Sequence, residues 1–126
     1  MSVSFNDFLN SADLLLKNKE SKEIDFRNLI SRSYYAMFHL SSEIAQTLQQ
    51  PKENIPKGSH EKIFHVFKSH EDKTLQRLAD MMFTGKEQRV IADYRINKTV
   101  TRQEAAEHYF AIKGIIQKLE KYQANL

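Results

Sequence analysis

Apolar residues recur every three or four positions along most of this chain, and residues that break helices are rare. Among 126 residues there are only three glycines and two prolines. Spacings of three and four place apolar side chains on one face of an α-helix, where they can be buried together. The sequence therefore predicts an all-α fold. We expect one domain over residues 1–126, an antiparallel bundle of four long helices plus a short helix.

Five helices are predicted from these apolar stripes and from the residues at their ends. The first covers about residues 5–17 after Ser4, a residue type that caps helix N-termini, and the second covers about 24–49. The third covers about 59–69, and the fourth begins near residue 71, with Gly85 as a candidate interruption. Thr101 and Glu104 form a capping box that opens the last helix. The expected core stripe of the second helix is Phe26, Ile30, Tyr34, Met37, Leu40, Ile44 and Leu48.

Composition excludes several classes of protein. The chain has no cysteine, which removes disulfides, thiolate nucleophiles and cysteine-based metal sites. No apolar stretch approaches the length of a membrane span, and the first residues lack the pattern of a signal peptide. We therefore expect a cytoplasmic protein without membrane contact, and no motif points to a cofactor. Nor is a metal site indicated by His60, His65 and His70, because a five-residue spacing leaves successive side chains about 140° apart on a helix.

Arg32 and His39 form the pair of polar residues with the clearest chemical meaning. They are seven positions apart, so on a helix they leave the same face with an offset of roughly 20°. Arginine carries a permanent charge, and histidine titrates near neutral pH. Together they can hold a phosphate and move a proton beside it, which suits phosphodiester chemistry. The expected position, with Tyr35 and Ala36 on the side away from the core, also fits a face that is merely solvated.

Local charge gives a weaker signal. The net charge of +3 permits a nucleic-acid partner without requiring one. An excess of basic residues occurs in one segment, at Lys86, Arg89, Arg95, Lys98 and Arg102. This cluster is either a solvated surface or part of an anion-binding one. Arg89 and Asp93 are four apart and can pair along a helix, while His108 is expected at the surface or at an interface.

Two motifs resemble those of a known family. SRSYYAMFH at residues 31–39, followed by RVIADY at residues 89–94, resembles the HEPN family (higher eukaryote and prokaryote nucleotide-binding domains). The resemblance covers nearly the whole chain, including the helix order, the loop with both prolines and His60. It implies a helical homodimer whose second helices meet near the two-fold axis. Many members are metal-independent ribonucleases with arginine, four to six residues, then histidine, and six residues separate Arg32 from His39.

The resemblance also implies roles for individual residues and partners. The implied catalytic residues are Arg32 and His39, the implied substrate-binding residues are Tyr35 and Arg89, and the implied structural motif residues are Ser33, Tyr34, Asp93 and Tyr94. Ser33 stands where catalytic members usually carry Asn, Asp or His, and its angular position predicts that it points toward the edge of the core. The implied partners are RNA or a nucleotide and a nucleotidyltransferase-type antitoxin, in a toxin–antitoxin or phage-defence setting.

Three functions remain open from the sequence. In an endoribonuclease, His39 would move a proton while Arg32 stabilises the charge that develops on phosphorus, and Tyr35 would orient the phosphate or stack on a base. A non-catalytic module would use the same residues to bind a nucleotide, an RNA or a partner. A scaffold would use them for packing alone. The enzyme predicts Arg32 and His39 exposed in a basic groove. The binding module predicts a groove too narrow for RNA, or these side chains held in interface salt bridges, and the scaffold predicts Arg32 buried against Glu43 or another acid.

Overall fold

The computed structural model describes residues 2–126, and within that range the chain is helical with no β-strand, which confirms the all-α prediction. The helices are α1 (Phe5–Lys17), α2 (Glu23–Ala45), α3 (Ser59–Lys68), α4 (Lys73–Tyr94) and α5 (Arg102–Ala124). Three helices have 22 or 23 residues, α1 has 13 as its predicted bounds require, and α3, with 10, is the short helix. Met1, the first residue of the predicted domain, lies outside the described residues. Over residues 2–126, no helix is both long enough and apolar enough to cross a membrane.

The second helix, α2, lies at the centre of the bundle and packs against all four other helices. It contributes Tyr34 and Leu40 to a large buried cluster and Leu29 to a smaller one. Because α2 has neighbours on several sides, its buried face is wider than one apolar stripe. The prediction that Ala36 faces away from the core is therefore wrong, since this residue is fully buried.

The carboxyl end of α2 comes earlier than the apolar pattern predicts. The helix ends at Ala45, although the predicted stripe continues to Leu48. Two side chains beyond the end bind carbonyl oxygens of the last turn. Thr47 Oγ1 donates to the Ile44 oxygen over 2.7 Å, and Gln50 Nε2 donates to the Ala45 oxygen over 2.9 Å. These bonds replace the missing helical partners, so the chain leaves the helix before the proline loop.

Gly85 does not interrupt α4, which is continuous from Lys73 to Tyr94. Its missing side chain instead lets α2 and α5 pack closely against α4. The glycine is buried, and a Cβ atom built there would lie 2.9 Å from Ile112 Cδ1 of α5 and 3.6 Å from Met37 Cε of α2. The two neighbouring helices approach α4 at this point.

At the other end of the loop that follows α4, the predicted capping box of α5 is confirmed, with Glu104 N donating to Thr101 Oγ1 over 3.2 Å.

Arg27 joins α2 to the end of α4, a role that sequence periodicity does not predict. Its guanidinium is buried and donates to the oxygens of Ala92, Ile91 and Arg95 over 2.9, 3.3 and 3.2 Å, and also to the oxygen of Lys98. These carbonyls belong to the last turn of α4 and to the turn after it, where helical partners are missing. Arg27 therefore fixes the segment of α4 that carries the second motif against α2.

Candidate functional site

Arg32 and His39 are both exposed on a strip of α2 that is bordered by α1 on one side. Arg32 Nη1 donates to Ser11 Oγ over 2.7 Å, and the His39 ring lies 4.9 Å from the ring of Phe8. Both contacts come from α1. Among residues 2–126, no carboxylate oxygen lies within 4.0 Å of the Arg32 guanidinium nitrogens. The charge of Arg32 is therefore held by a neutral hydroxyl and is open to an incoming anion.

His39 is reached through an open groove between the amino end of α1 and the carboxyl end of α2. The groove has a volume of about 490 Å³, within the range of small-ligand sites. Its lining residues are Val3, Ser4, Phe5, Phe8, His39, Ser42, Glu43 and Gln46. Glu43 does not pair with Arg32, contrary to what a pure scaffold would require. Within the described part of the chain, no arginine or lysine lines this groove, so it is not the basic groove that the enzyme hypothesis predicted. Its volume would nevertheless admit part of a nucleotide next to the imidazole of His39.

The two adjacent tyrosines of the first motif have different surroundings. Tyr34 is fully buried in the large cluster, whereas Tyr35 is only half-buried. The Tyr35 ring lies 5.3 Å from the Tyr34 ring and 6.1 Å from the His39 ring. Tyr35 therefore connects the exposed Arg32–His39 strip to the aromatic interior.

Arg89 is held mainly by aromatic rings. It is only 6% exposed, and its guanidinium carbon lies 5.3, 5.5 and 6.0 Å from the ring centres of Tyr34, Tyr35 and Tyr94. The predicted pair with Asp93 exists, but its 3.4 Å separation is long, and Arg89 Nε is buried without a hydrogen-bond partner within residues 2–126. Cation–π contacts are stronger where water is excluded. Arg89 therefore joins α4 to α2. Because the three tyrosine rings enclose its guanidinium, a phosphate could reach only the small part of the side chain that is still exposed.

The other motif residues occupy structural positions. Ser33 is fully buried, on the side that its angular position predicts, and its hydroxyl donates to the Leu29 oxygen over 2.7 Å. Asp93 accepts a hydrogen bond from the Ser31 hydroxyl over 3.3 Å, which adds a link between α4 and α2. Tyr94 is 66% exposed at the end of α4. Ser33 is consequently bonded within its own helix rather than directed at the Arg32–His39 strip.

His60 is brought to the site by α3, and no role was assigned to it from the sequence. Its ring stacks on Phe38 at 4.2 Å, and its Nδ1 lies 2.6 Å from the Tyr34 hydroxyl. Burial, with Arg89 and Lys86 nearby, lowers the pKa of His60 below its ordinary value. Burial likewise raises the pKa of Tyr34, so its hydroxyl stays protonated. The sequence gives little warning of this contact, because the proline loop separates α3 from α2.

The basic cluster does not form a continuous basic surface. Lys86 pairs with Glu61 of α3, and Arg89 is buried. Arg102 donates to the oxygens of Leu16 and Asn18 over 2.8 and 3.0 Å. Three of the five cations are therefore committed to contacts within the chain, and Arg95 and Lys98 are the exposed ones.

The remaining histidines lie apart from the site. His65 Nε2 is 3.0 Å from the Glu53 oxygen, and His70 Nδ1 accepts from the Asp72 amide over 3.0 Å. The prediction that His108 lies at the surface is wrong. It is 3% exposed, with Nε2 3.2 Å from the Ile30 oxygen, and burial lowers its pKa to about 4. The prediction failed because α5 packs on α2 along the face that carries His108. The apolar stripe of α5 alone does not indicate this contact.

Comparison of this chain with protein-family models, with curated proteins and with solved structures finds no match. The chemistry open to this chain is therefore defined by the residues of the site. The fold brings together an exposed arginine and histidine from α2, a half-buried tyrosine between them and a second histidine from α3. This set of groups can bind a phosphate, exchange protons and stack on a base.

Proposed function

We propose that this chain is a HEPN-type, metal-independent endoribonuclease that acts as a homodimer. The observation that carries this proposal is the exposure of Arg32 and His39 on one strip of α2, with Arg32 bound to a hydroxyl instead of an acid. A guanidinium already paired with a carboxylate is a poor receptor for phosphate, whereas this one is available for charge-assisted hydrogen bonds. The two motifs that resemble the HEPN family lie on α2, which carries the Arg32–His39 pair, and on α4, which packs against α2.

The proposed reaction uses the nucleophile that RNA itself contains. The 2′-oxygen attacks the adjacent phosphorus, the bond to the 5′-oxygen breaks, and the products are a 2′,3′-cyclic phosphate and a free 5′-hydroxyl. His39 transfers a proton during this exchange, and general acid–base catalysis of this kind contributes about 10²–10⁴-fold in rate. Arg32 donates N–H groups to the phosphoryl oxygens as negative charge accumulates on them. Tyr35 lies beside both and is positioned to contact the phosphate or a base.

The location of the pair supports the proposed homodimer. All four other helices pack on α2, so only a narrow strip of it remains open. A second copy meeting this strip around a two-fold axis would place two Arg32–His39 pairs in one cleft. A nucleotidyltransferase-type antitoxin that covers the cleft, in a toxin–antitoxin or phage-defence system, is the regulatory partner that the family resemblance suggests.

A second candidate is a non-catalytic module that binds RNA or a nucleotide. The aromatic surface favours it, because Tyr35 is half-buried and lies 6.1 Å from the Phe38 ring. Unpaired bases stack on such side chains without any chemical step. In this candidate, Arg32 would contact phosphate and His39 would have no role in proton transfer.

The test is cleavage of RNA with EDTA present, comparing the wild type with Arg32→Ala and His39→Ala. We expect each variant to lose about 10²–10⁴-fold in rate, with cyclic phosphate ends on the wild-type products. Matched controls are Arg77→Ala, an exposed arginine of α4, and His65→Gln on α3. Variants that fold, dimerise and cleave like the wild type would disprove the assignment. RNA binding by the wild type without cleavage would favour the non-catalytic module.

A further inference from the structure

The ring of His60 is positioned beside the candidate site by aromatic contacts from α2. It stacks on Phe38 at 4.2 Å with an angle of 29° between planes, and it lies 5.6 Å from Tyr34. The Tyr35 ring is near both histidines, 6.0 Å from the His60 ring and 6.1 Å from the His39 ring. Both imidazoles of the same chain therefore lie next to Tyr35.

The two nitrogens of His60 have different environments. Nδ1 lies 2.6 Å from the Tyr34 hydroxyl, which is fixed in the core. Within residues 2–126, Nε2 has no hydrogen-bond partner. Unlike Arg89 Nε, it keeps some accessible surface. Nε2, on the side of the ring opposite Tyr34, is thus not fully enclosed, and the His60 side chain as a whole is partly exposed. A histidine oriented at one nitrogen and open at the other has the arrangement of a proton-transfer group.

We propose that His60 is a further catalytic residue, acting as the general base of the same chain while His39 acts as the general acid. This inference rests on the proposed ribonuclease function. This role requires the tautomer in which Nδ1–H of His60 donates to the Tyr34 oxygen, because only then is the lone pair of Nε2 free to remove the proton of the 2′-hydroxyl. As the 2′-oxygen binds phosphorus, protonated His39 gives its proton to the departing 5′-oxygen. One proton is taken and one is given, so solvent exchange alone restores both histidines.

The charges around His60 agree with the role of a base. Arg89 and Lys86 face it from α4, Glu61 lies next to it on α3, and Tyr34 faces it from α2. Burial and the two cations lower the pKa of His60, so the imidazole is neutral and able to accept a proton at neutral pH. Loss of the base should therefore alter the acidic limb of the pH–rate profile, where His60 becomes protonated.

The experiment measures RNA cleavage between pH 5 and pH 8 for the wild type, His60→Asn and His60→Ala. Asparagine places a polar atom near the position of Nδ1 and can keep the bond to Tyr34, but it has no group in place of Nε2. We expect a loss of about 10²–10⁴-fold, a flattened acidic limb, and partial rescue of His60→Ala by added imidazole. His65→Gln, on the same helix, should cleave like the wild type.

Three results would overturn the inference, and they separate it from the proposed function. If His39→Ala is inactive while His60→Asn has the wild-type rate and pH profile, His60 has no catalytic role and the ribonuclease assignment stands. If His60→Asn is slower at every pH by the same factor and imidazole does not restore His60→Ala, its role is structural. If the wild type itself cleaves no RNA, the ribonuclease proposal fails and this inference fails with it.

Discussion

Replacing Arg27 by methionine should destabilise the protein strongly, because one buried guanidinium binds four carbonyl oxygens at the end of α4. Methionine keeps much of the side-chain volume and removes the charge and the donors. A hydrogen bond from a charged donor contributes about 1.5–3 kcal/mol. The bond to Ala92 is buried, so its loss carries the full cost, whereas water can partly replace the others. We expect the free energy of unfolding to fall by about 3–5 kcal/mol, because one buried and three partly buried carbonyl oxygens lose a charged donor.

Urea-induced unfolding followed by circular dichroism measures this change. Arg27→Lys keeps the positive charge but loses the planar set of donors, so it should lie between the wild type and Arg27→Met. Arg77→Met is the matched control, because this arginine is exposed on the same α4 and its loss should change stability by less than about 0.5 kcal/mol. If Arg27→Met unfolds at the same urea concentration as Arg77→Met, the reasoning about the end of α4 is wrong.

Two further predictions concern His108 and the two glycines that lie within helices. Burial lowers the pKa of His108 from 6.5 to about 4, so the unfolded chain binds a proton that the folded chain refuses. The free energy of unfolding is therefore highest above about pH 6.5 and falls by about 3 kcal/mol as the pH is lowered toward 4. The urea midpoint of His108→Gln should fall less steeply with pH than that of the wild type over this interval. Equal slopes for the two proteins would contradict the assignment. Gly114→Ala should raise stability by about 0.5–1 kcal/mol, because nothing lies within 4 Å of the added Cβ. Gly85→Val should lower it by about 1–3 kcal/mol through a clash with Ile112, and thermal melts in which both glycine variants shift the same way would refute this contrast.

Signals that depend only on neighbouring residues, such as apolar spacing and capping residues, predicted the helices well. Apolar spacing gave the bounds of α1 as they are observed, and Thr101 with Glu104 marked the start of α5. The spacing of Arg32 and His39 also predicted a shared exposed face, because that inference needs only the geometry of one helix.

Contacts between distant segments were beyond such reasoning. Arg27 and Arg89 are buried, although arginine is usually exposed, because each found partners more than fifty residues away in the sequence or on another helix. Burial of Ala36 and His108 depends on how many helices surround α2, which periodicity within one helix does not report. The place of His60 beside Tyr34 depends on how the proline loop returns α3 to α2.

The enclosure of Arg89 by Tyr34, Tyr35 and Tyr94 has an optical consequence. The chain has five tyrosines and no tryptophan, so no tryptophan absorbs the energy that its tyrosines emit. Three of those five phenols surround one guanidinium, and one of the three is hydrogen-bonded to His60. Three of the five groups that can report by intrinsic ultraviolet fluorescence therefore lie where α4 packs on α2. The unlabelled chain thus carries its own spectroscopic reporter of the contact between α4 and α2.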